Sequence, residues 1–255
     1  MNKIIQFRLP LDKILLFPAV LLVTPAVAQV KFSVGPTVGA IASTSTYAGN
    51  PAVYASPYLK PTYKIGAEAG VRAVIAIGKV AIQPALLYSQ KGFDLSGSYN
   101  ESVSIGILTT NVQERFRLNY LCLPVNIAYS FQESGKGVQL FAGPYISFLL
   151  GGKAQFDNST RADNGYQTFY QTTQTIKSGP EDKGDGATYF QRYDAGFQAG
   201  IGYVYNNWLV QGSYSLGVVN TGVSYPMNAS PYKDGSTYRN RGFSVNLSYL
   251  LPISK

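Results

Sequence analysis

The residues of this chain most able to do chemistry are charged side chains that recur at even spacing in strand-like segments. Lys64, Glu68 and Arg72 share one side of a two-residue alternation whose other side is apolar. Charges gathered inside a protein either bind a charged ligand or compensate one another. We predict a compensating polar network rather than an anion site. Its members, by shared parity or polar strand face, are Lys64, Glu68, Arg72, Lys91, Arg117, Asn119, Arg192 and Asp194.

Catalytic and metal-binding patterns are missing from the sequence. The chain contains no histidine, which removes Ser-His-Asp hydrolysis, acid–base catalysis by imidazole and the commonest metal ligand. Glu181, Asp182 and Asp185 lie near a glycine turn, but their spacing does not fit the twelve-residue calcium loop and Lys183 lies among them. We therefore predict that the protein is not an enzyme and that it has no catalytic residue, cofactor or metal.

The charge balance is basic, with a formal net charge of +8 at neutral pH. The lysines and arginines form neither a run nor a helical stripe, so we do not expect the protein to bind nucleic acid. Cys122 is the single cysteine, and we expect it to be a buried, inert thiol that faces the interior.

The N-terminal residues 1–28 have the features of a signal peptide. A basic start and an apolar run over 14–23 precede Ala26-Val27-Ala28, which fits the small-residue cleavage pattern. The apolar run is shorter than the ~20 residues that a transmembrane helix needs. Later apolar runs do not reach that length either. The sequence therefore predicts an exported chain with a cleaved signal and no membrane-spanning helix.

Eight strand-like segments set the positions of the charges. Segment 63–77 shows the pattern best, because its odd-numbered residues are all apolar and its charges all fall at even positions. A period of two places one face in lipid and the other in the interior of a barrel. The eight segments are 31–42, 63–77, 80–92, 116–131, 138–150, 192–205, 208–220 and 241–253.

Tight turns and long polar segments alternate between these strands. The tight turns are Gly78-Lys79, Gln132 to Gly137 and Asn206-Asn207, and the long segments, which we predict as loops, are 43–62, 93–115, 151–191 and 221–240. Short turns on one side and long loops on the other are typical of outer-membrane barrels. We predict an all-β fold over 29–255, namely a transmembrane antiparallel up-and-down β-barrel of eight strands with long extracellular loops.

Two features predict irregular strands. Arg117 and Asn119 mark a polar face at the start of segment 116–131, whereas from Leu121 onward that parity is apolar, so we expect a one-residue bulge near Tyr120-Leu121. Proline removes a ladder hydrogen bond, and we expect further bulges where it falls inside strands. These prolines are Pro36, Pro84, Pro124 and Pro144.

Three stretches resemble the PorT-like family of bacterial outer-membrane β-barrels. Residues 118–125 (LNYLCLPV) are similar to the family's Leu-Asn-Tyr-Leu-acid-Ile-Pro-Leu strand, although Cys122 stands where the family usually has an acid. Residues 141–146 (FAGPYI) resemble its Ala-Gly-Pro-Tyr strand, and 193–202 its Asp-x-Gly strand. The resemblance implies a fold and an outer-membrane location. Members include proteins linked to secretion and many of unknown role, so it implies no activity.

The sequence leaves two classes of function open. The first is a structural or interaction protein, embedded in outer-membrane lipid, whose outer loops or barrel wall contact other molecules. Segment 151–191 is the expected contact for protein partners, and a link to secretion or envelope maintenance would fit. The alternative is a binding or transport module that holds a small anionic ligand in the barrel mouth. A soluble lipocalin-like barrel would need the opposite facing of segment 63–77.

Overall fold

The computed structural model describes residues 30–48, 58–104, 106–132, 135–179, 184–223 and 237–253. The predicted signal peptide lies outside these residues. The described part of the chain holds no helix long and apolar enough to cross a membrane. Its strands are β1 Lys31–Ala48, β2 Lys60–Ile77, β3 Val80–Val103, β4 Gly106–Ser130, β5 Gly137–Ala162, β6 Gln167–Ser178, β7 Thr188–Phe190, β8 Tyr193–Tyr205, β9 Trp208–Gly217, β10 Thr237–Tyr249 and β11 Leu251–Pro252.

Eight of these strands form a closed ring. Strands β1, β2, β3, β4, β5, β8, β9 and β10 pair in that order, each antiparallel to the next. Strand β10 then pairs with β1, where Ala40 lies opposite Val245, and closes the ring. The predicted all-β, eight-stranded antiparallel barrel is therefore confirmed.

The tight turns lie together at one end of the ring. Gly78 has a φ of 61° and Asn206 a φ of 51°, the left-handed backbone that two-residue hairpin turns require. Glycine and asparagine are the residues that adopt this conformation at least cost. These turns join β2 to β3 and β8 to β9, as the sequence predicts.

The long segments differ from the prediction, because strands continue through much of them. Strand β3 runs on to Val103 and β4 begins at Gly106, so the predicted loop 93–115 is a long hairpin. Strand β5 extends to Ala162, and β6 returns beside it within the predicted loop 151–191. The predicted loops 43–62 and 221–240 are also strand at their described ends, in β1, β2 and β10. Backbone pairing continues outside a membrane, where a strand no longer needs an apolar outer face.

The facing of the strands reverses along the barrel. From the tight turns up to the level of Ile65 the outward side chains are apolar and exposed, as Ile65 and Val245 are at 81% and 61%. Toward the long hairpins the inward side chains become apolar instead, and Phe116 and Leu118 are buried. We call this second part, residues 93–104, 106–118 and 151–179, the outer extension. It is built like a soluble β-protein on top of a membrane-facing wall.

This reversal corrects the prediction of a bulge in β4. Arg117 and Asn119 share the outward parity of Leu121, and the register of β3 with β4 is unbroken. The bulge lies across the ladder in β5, where Leu150 is the extra residue between the partners of Tyr120 and Asn119. The polar outward residues therefore mark the end of the lipid-facing band rather than a change of phase.

The prolines also do not coincide with bulges. The ladder omits a few pairs beside Pro84 and Pro124 but resumes in the same register. The ladders of Pro36 with β2 and of Pro144 with β8 are continuous. The register shifts of the described strands lie elsewhere, in β5 and between Tyr63 and Glu68 of β2. The prediction of proline bulges was wrong, since a strand can lose one ladder bond without gaining a residue.

Candidate functional site

A buried ion pair lies in the lumen below the outer extension. Lys91 Nζ, from β3, is 3.1 Å from Asp194 Oδ2, from β8, and both side chains are almost completely buried. The Asn240 amide donates to the same carboxylate oxygen at 3.1 Å. Lys91 also lies over the rings of Tyr145 and Tyr120, at 4.6 and 5.2 Å from their centroids. These contacts give the buried cation a countercharge and two aromatic faces.

A second group surrounds Glu68. Its carboxylate accepts hydrogen bonds from Ser89 Oγ at 2.7 Å and from Asn246 Nδ2 at 3.0 Å. Arg72 is buried in the same region, and its Nε and Nη1 have no hydrogen-bond partner among the described residues. Both charged residues border a void of about 30 Å³, a volume on the scale of a single water. The group therefore holds one acid and one base in the middle of the lumen.

Amide side chains cross the lumen on the side of the tight turns. Gln211 donates to Gln83 at 2.8 Å, and Gln83 donates to Gln139 at 3.1 Å, so β9, β3 and β5 are linked across the interior. Gln198 donates to Asn126 at 2.9 Å. An eight-stranded ring has an interior that side chains can fill. This part of the lumen is closed by a hydrogen-bonded layer.

The structure places the eight predicted network residues in three environments. Glu68, Arg72, Lys91 and Asp194 are buried in the lumen. Lys64 pairs instead with Asp94, at 2.6 Å, and half-buried Asn119 contacts Gln90 at 3.5 Å. Arg117 and Arg192 are exposed.

The lumen assignment of Arg117, Asn119 and Arg192 was therefore wrong. For Arg117 and Asn119 the reason is that outward side chains are apolar only within the lipid-facing band. Arg192 shares the parity of Asp194 but precedes the first residue of β8, so the alternation of the strand does not fix its direction. Sequence reasoning also missed the partners of the buried charges. Polar residues at inward strand positions were the available signal. Ser89 and Asn246 bind Glu68, Asn240 binds Asp194, and the separate amide layer contains Gln83, Gln139 and Gln211. Cys122 is a free, buried thiol within hydrogen-bond distance of Ser147 Oγ, as predicted.

The outer extension encloses an aromatic cluster. The rings of Phe93 and Phe116 stack with centroids 4.8 Å apart, and Phe93 and Tyr238 stack at 5.4 Å. Phe190 of β7 meets Phe116 edge-on at 5.7 Å. Aromatic pairs with these geometries add attraction beyond burial of area. The cluster covers the lumen above the Lys91–Asp194 pair.

A cavity of about 350 Å³ lies beside this cluster. Its wall includes Glu114, the one charged side chain among its described lining residues. Burial raises the pKa of the Glu114 carboxyl to about 7. The basic mouth that an anionic ligand would need is therefore not found here, since the exposed Arg117 and Arg192 do not line this cavity.

One edge of β6 is open along most of its length. Strand β6 pairs with β5 on one side, and β7 covers the other side only from Ile176 to Ser178. The Ala162 N–H donates to the carbonyl of Tyr166, which begins the hairpin with a hydrogen-bonded pair. Because such pairs alternate in an antiparallel ladder, odd-numbered residues from Phe169 to Thr173 point their N–H and C=O groups away from β5. No strand among the described residues satisfies them.

A family of known proteins matches most of the chain. The family described as outer membrane protein beta-barrel domain matches residues 27–222, so the chain belongs to that family of outer-membrane β-barrels. The outward apolar band is accordingly embedded in outer-membrane lipid, and the outer extension lies above it, on the side of the long hairpins.

Solved structures that match this chain include a neisserial surface protein and an outer membrane protein of Pseudomonas aeruginosa. Neisserial surface protein A is 14% identical, with a TM-score of 0.32, and the match covers 84% of this chain and 96% of that one. OprG from Pseudomonas aeruginosa is 9% identical, with a TM-score of 0.38 and coverage of 87% and 95%. Among curated proteins none matches this chain.

Proposed function

We propose that this protein is an outer-membrane interaction protein that binds its partner through the open edge of β6, above a barrel that passes no solute. The single observation that carries the proposal is that edge. Unpaired N–H and C=O groups form a template on which another extended chain can add a strand. The lumen supports the second half of the proposal, because the Lys91–Asp194 pair and the amide layer cross it.

The sequence of β6 lacks the usual protection of an exposed edge. Proteins normally place lysine, proline or a bulge on such strands. Residues 167–176 contain neither proline nor any charged side chain, and Lys177 is the first charge. Phe169 and Tyr170 are 71% and 55% exposed, and Tyr166 precedes them at the hairpin tip. Exposed aromatic residues beside an open edge fit a docking surface better than a solvated loop.

The proposed occupant is an extended segment of another envelope polypeptide. Main-chain hydrogen bonds would supply affinity, and side chains that alternate along the strand would supply specificity. The resemblance to PorT-like proteins, with a link to secretion or envelope maintenance, belongs to this proposal. Its support is that the resembling stretches 118–125, 141–146 and 193–202 all lie in ring strands. We also propose that the protein is exported and that its signal peptide is cleaved after Ala28.

The edge can be blocked without disturbing its own hairpin. Gln171→Pro removes an N–H that points away from β5, and proline is tolerated at such edge positions. Gln171→Ala removes the side chain but keeps the N–H, and is the matched control. A photoreactive benzoylphenylalanine in place of exposed Phe169 reports which chains lie beside the strand in intact cells.

We expect one discrete crosslinked adduct in the parent and in Gln171→Ala, and its loss in Gln171→Pro. An adduct with a second copy of this chain would show that the edge binds another copy of the protein, which would contradict the proposed partner. An adduct that persists at equal yield in Gln171→Pro would overturn strand addition, as would the lack of any adduct in the parent.

A further inference from the structure

The cavity of the outer extension is large enough for a small organic molecule. Its volume of about 350 Å³ lies within the range of ligand pockets in proteins. Its lining residues come from β4, β5, β6, β7 with the preceding Ala187, residues 222–223 and the start of β10, on the water-exposed side of the lipid-facing band. Its ring-bearing and acidic lining residues are Glu114, Phe116, Phe156, Tyr189, Phe190 and Tyr238.

Glu114 has no compensating charge in this wall. No ion pair or hydrogen bond to its carboxylate exists among the described residues. The nearby cations are already paired with other acids, since Arg115 binds Asp157 and Lys177 binds Asp185. Glu114 is half-buried, and a carboxylate partly removed from water without a partner is stabilised by a cation that enters beside it.

The other titratable groups that face Glu114 are the two tyrosines of the wall. Tyr189 donates its hydroxyl to Asp185 Oδ2 at 2.9 Å, so it is engaged away from the acid. The elements packed around Glu114 present Leu95 from β3 and Phe156 from β5 as its strand neighbours. Glu114 is thus the group whose ionisation changes the charge of the cavity.

The rings supply a second attraction for a cation. Phe116 and Phe156 form a T-shaped pair, with ring planes at 90° and centroids 6.0 Å apart. Phe190 packs against Phe116 with their centroids 5.7 Å apart, and Tyr238 lies 5.7 Å beyond Phe190. The negative faces of aromatic rings bind ammonium groups, and cages of several rings bind quaternary ammonium ions.

We propose that this cavity is a binding site for a small organic ammonium ion, with the cationic nitrogen beside Glu114 and its alkyl groups against the rings. An inorganic cation would leave the aromatic wall without a contact. A neutral apolar molecule would leave the carboxylate without a partner. An organic ammonium ion satisfies both. The cavity touches β6 through the side chain of Gln174, whose backbone pairs with Ala154 of β5 and not with the open edge.

Choline and its neutral isostere 3,3-dimethyl-1-butanol test the proposal as a matched pair. Calorimetric titration of the purified full-length protein in detergent should show saturable binding of choline and none of the alcohol. Choline keeps its charge at all pH values, so any pH dependence of its affinity comes from the protein. Since the Glu114 carboxyl has a raised pKa of about 7, affinity should rise between pH 5.5 and 8.5 as this group ionises.

Two variants locate the site. Glu114→Gln should weaken choline binding at pH 8.5 by at least about tenfold and remove its pH dependence. Glu101→Gln, which removes the same charge from an exposed position on β3, should leave the affinity unchanged. Retention of the folded, heat-modifiable band on electrophoresis shows that each variant still forms the barrel.

Phe156→Leu keeps an apolar side chain and removes one ring of the wall. It should weaken the binding of choline. Several results would overturn the proposal: no choline binding by the folded parent, equal binding of the alcohol, or unchanged affinity in Glu114→Gln. A choline affinity that does not change with pH would also overturn it.

Discussion

Replacing Asp194 with asparagine is expected to lower the free energy of unfolding by about 3–5 kcal/mol, because it leaves the buried Lys91 cation without its countercharge. Asp194 is completely buried, and its carboxylate is the acid that contacts Lys91 at 3.1 Å. Asparagine has nearly the same shape, so the loss reports charge rather than packing. Unfolding by urea in lipid vesicles, followed by tyrosine and tryptophan fluorescence, measures the difference.

The matched control is Asp157→Asn in the outer extension. Asp157 also pairs with a cation, Arg115 at 3.1 Å, but both side chains are about one-third exposed. Exposed pairs contribute less than about 1 kcal/mol, so this variant should lose little. Adding Lys91→Met to Asp194→Asn should cost less than the sum of the two single changes, as coupled neighbours do. Additive losses, or equal losses in the two asparagine variants, would contradict a compensating pair in the lumen.

Val245→Arg is expected to destabilise the barrel by roughly 2–4 kcal/mol, because it places a charge in lipid near the middle of the apolar band. Val245 is 61% exposed on the outward face of β10, between Phe243 and the Trp208–Tyr249 pair. Trp208 and Tyr249 lie near the tight turns, where amphipathic rings favour the interface. Unfolding in vesicles gives the cost directly.

Val74→Arg is the same substitution on the inward face. Val74 borders a cavity of about 260 Å³ at the tight-turn end of the lumen, so the new guanidinium has room and polar neighbours. We expect a smaller loss than for Val245→Arg. The reverse order would show that the inward and outward faces have been exchanged.

The sequence predicts the ring because lipid imposes a simple rule on it. Within the apolar band, a period of two separates outward Ile65 from inward Glu68, and this parity also places Lys91 and Asp194 inside. The rule depends on the solvent outside the wall. Beyond the band water replaces lipid, so Arg117 faces outward while Leu118 turns in.

Three features of the outer extension lie beyond what the pattern can predict. Its strands carry polar residues on the outward face. A prediction that takes apolar alternation as the sign of a strand therefore assigns these residues to loops. The environment of Glu114 depends on Phe156 and Phe190, which are distant in sequence and meet only in the folded chain. The open edge of β6 likewise follows from which strands pair, and no local property of residues 167–176 reveals it.

The most direct test of the filled lumen is the conductance of the purified protein in planar lipid bilayers. The Lys91–Asp194 pair, the Glu68 group and the glutamine layer occupy successive levels of the interior, beneath an aromatic cluster that covers the mouth. An eight-stranded ring leaves no aqueous path around such side chains. The structure therefore predicts no reproducible unitary conductance from folded, inserted protein. Stable single-channel steps from the same preparation would contradict a closed barrel and support a transport function.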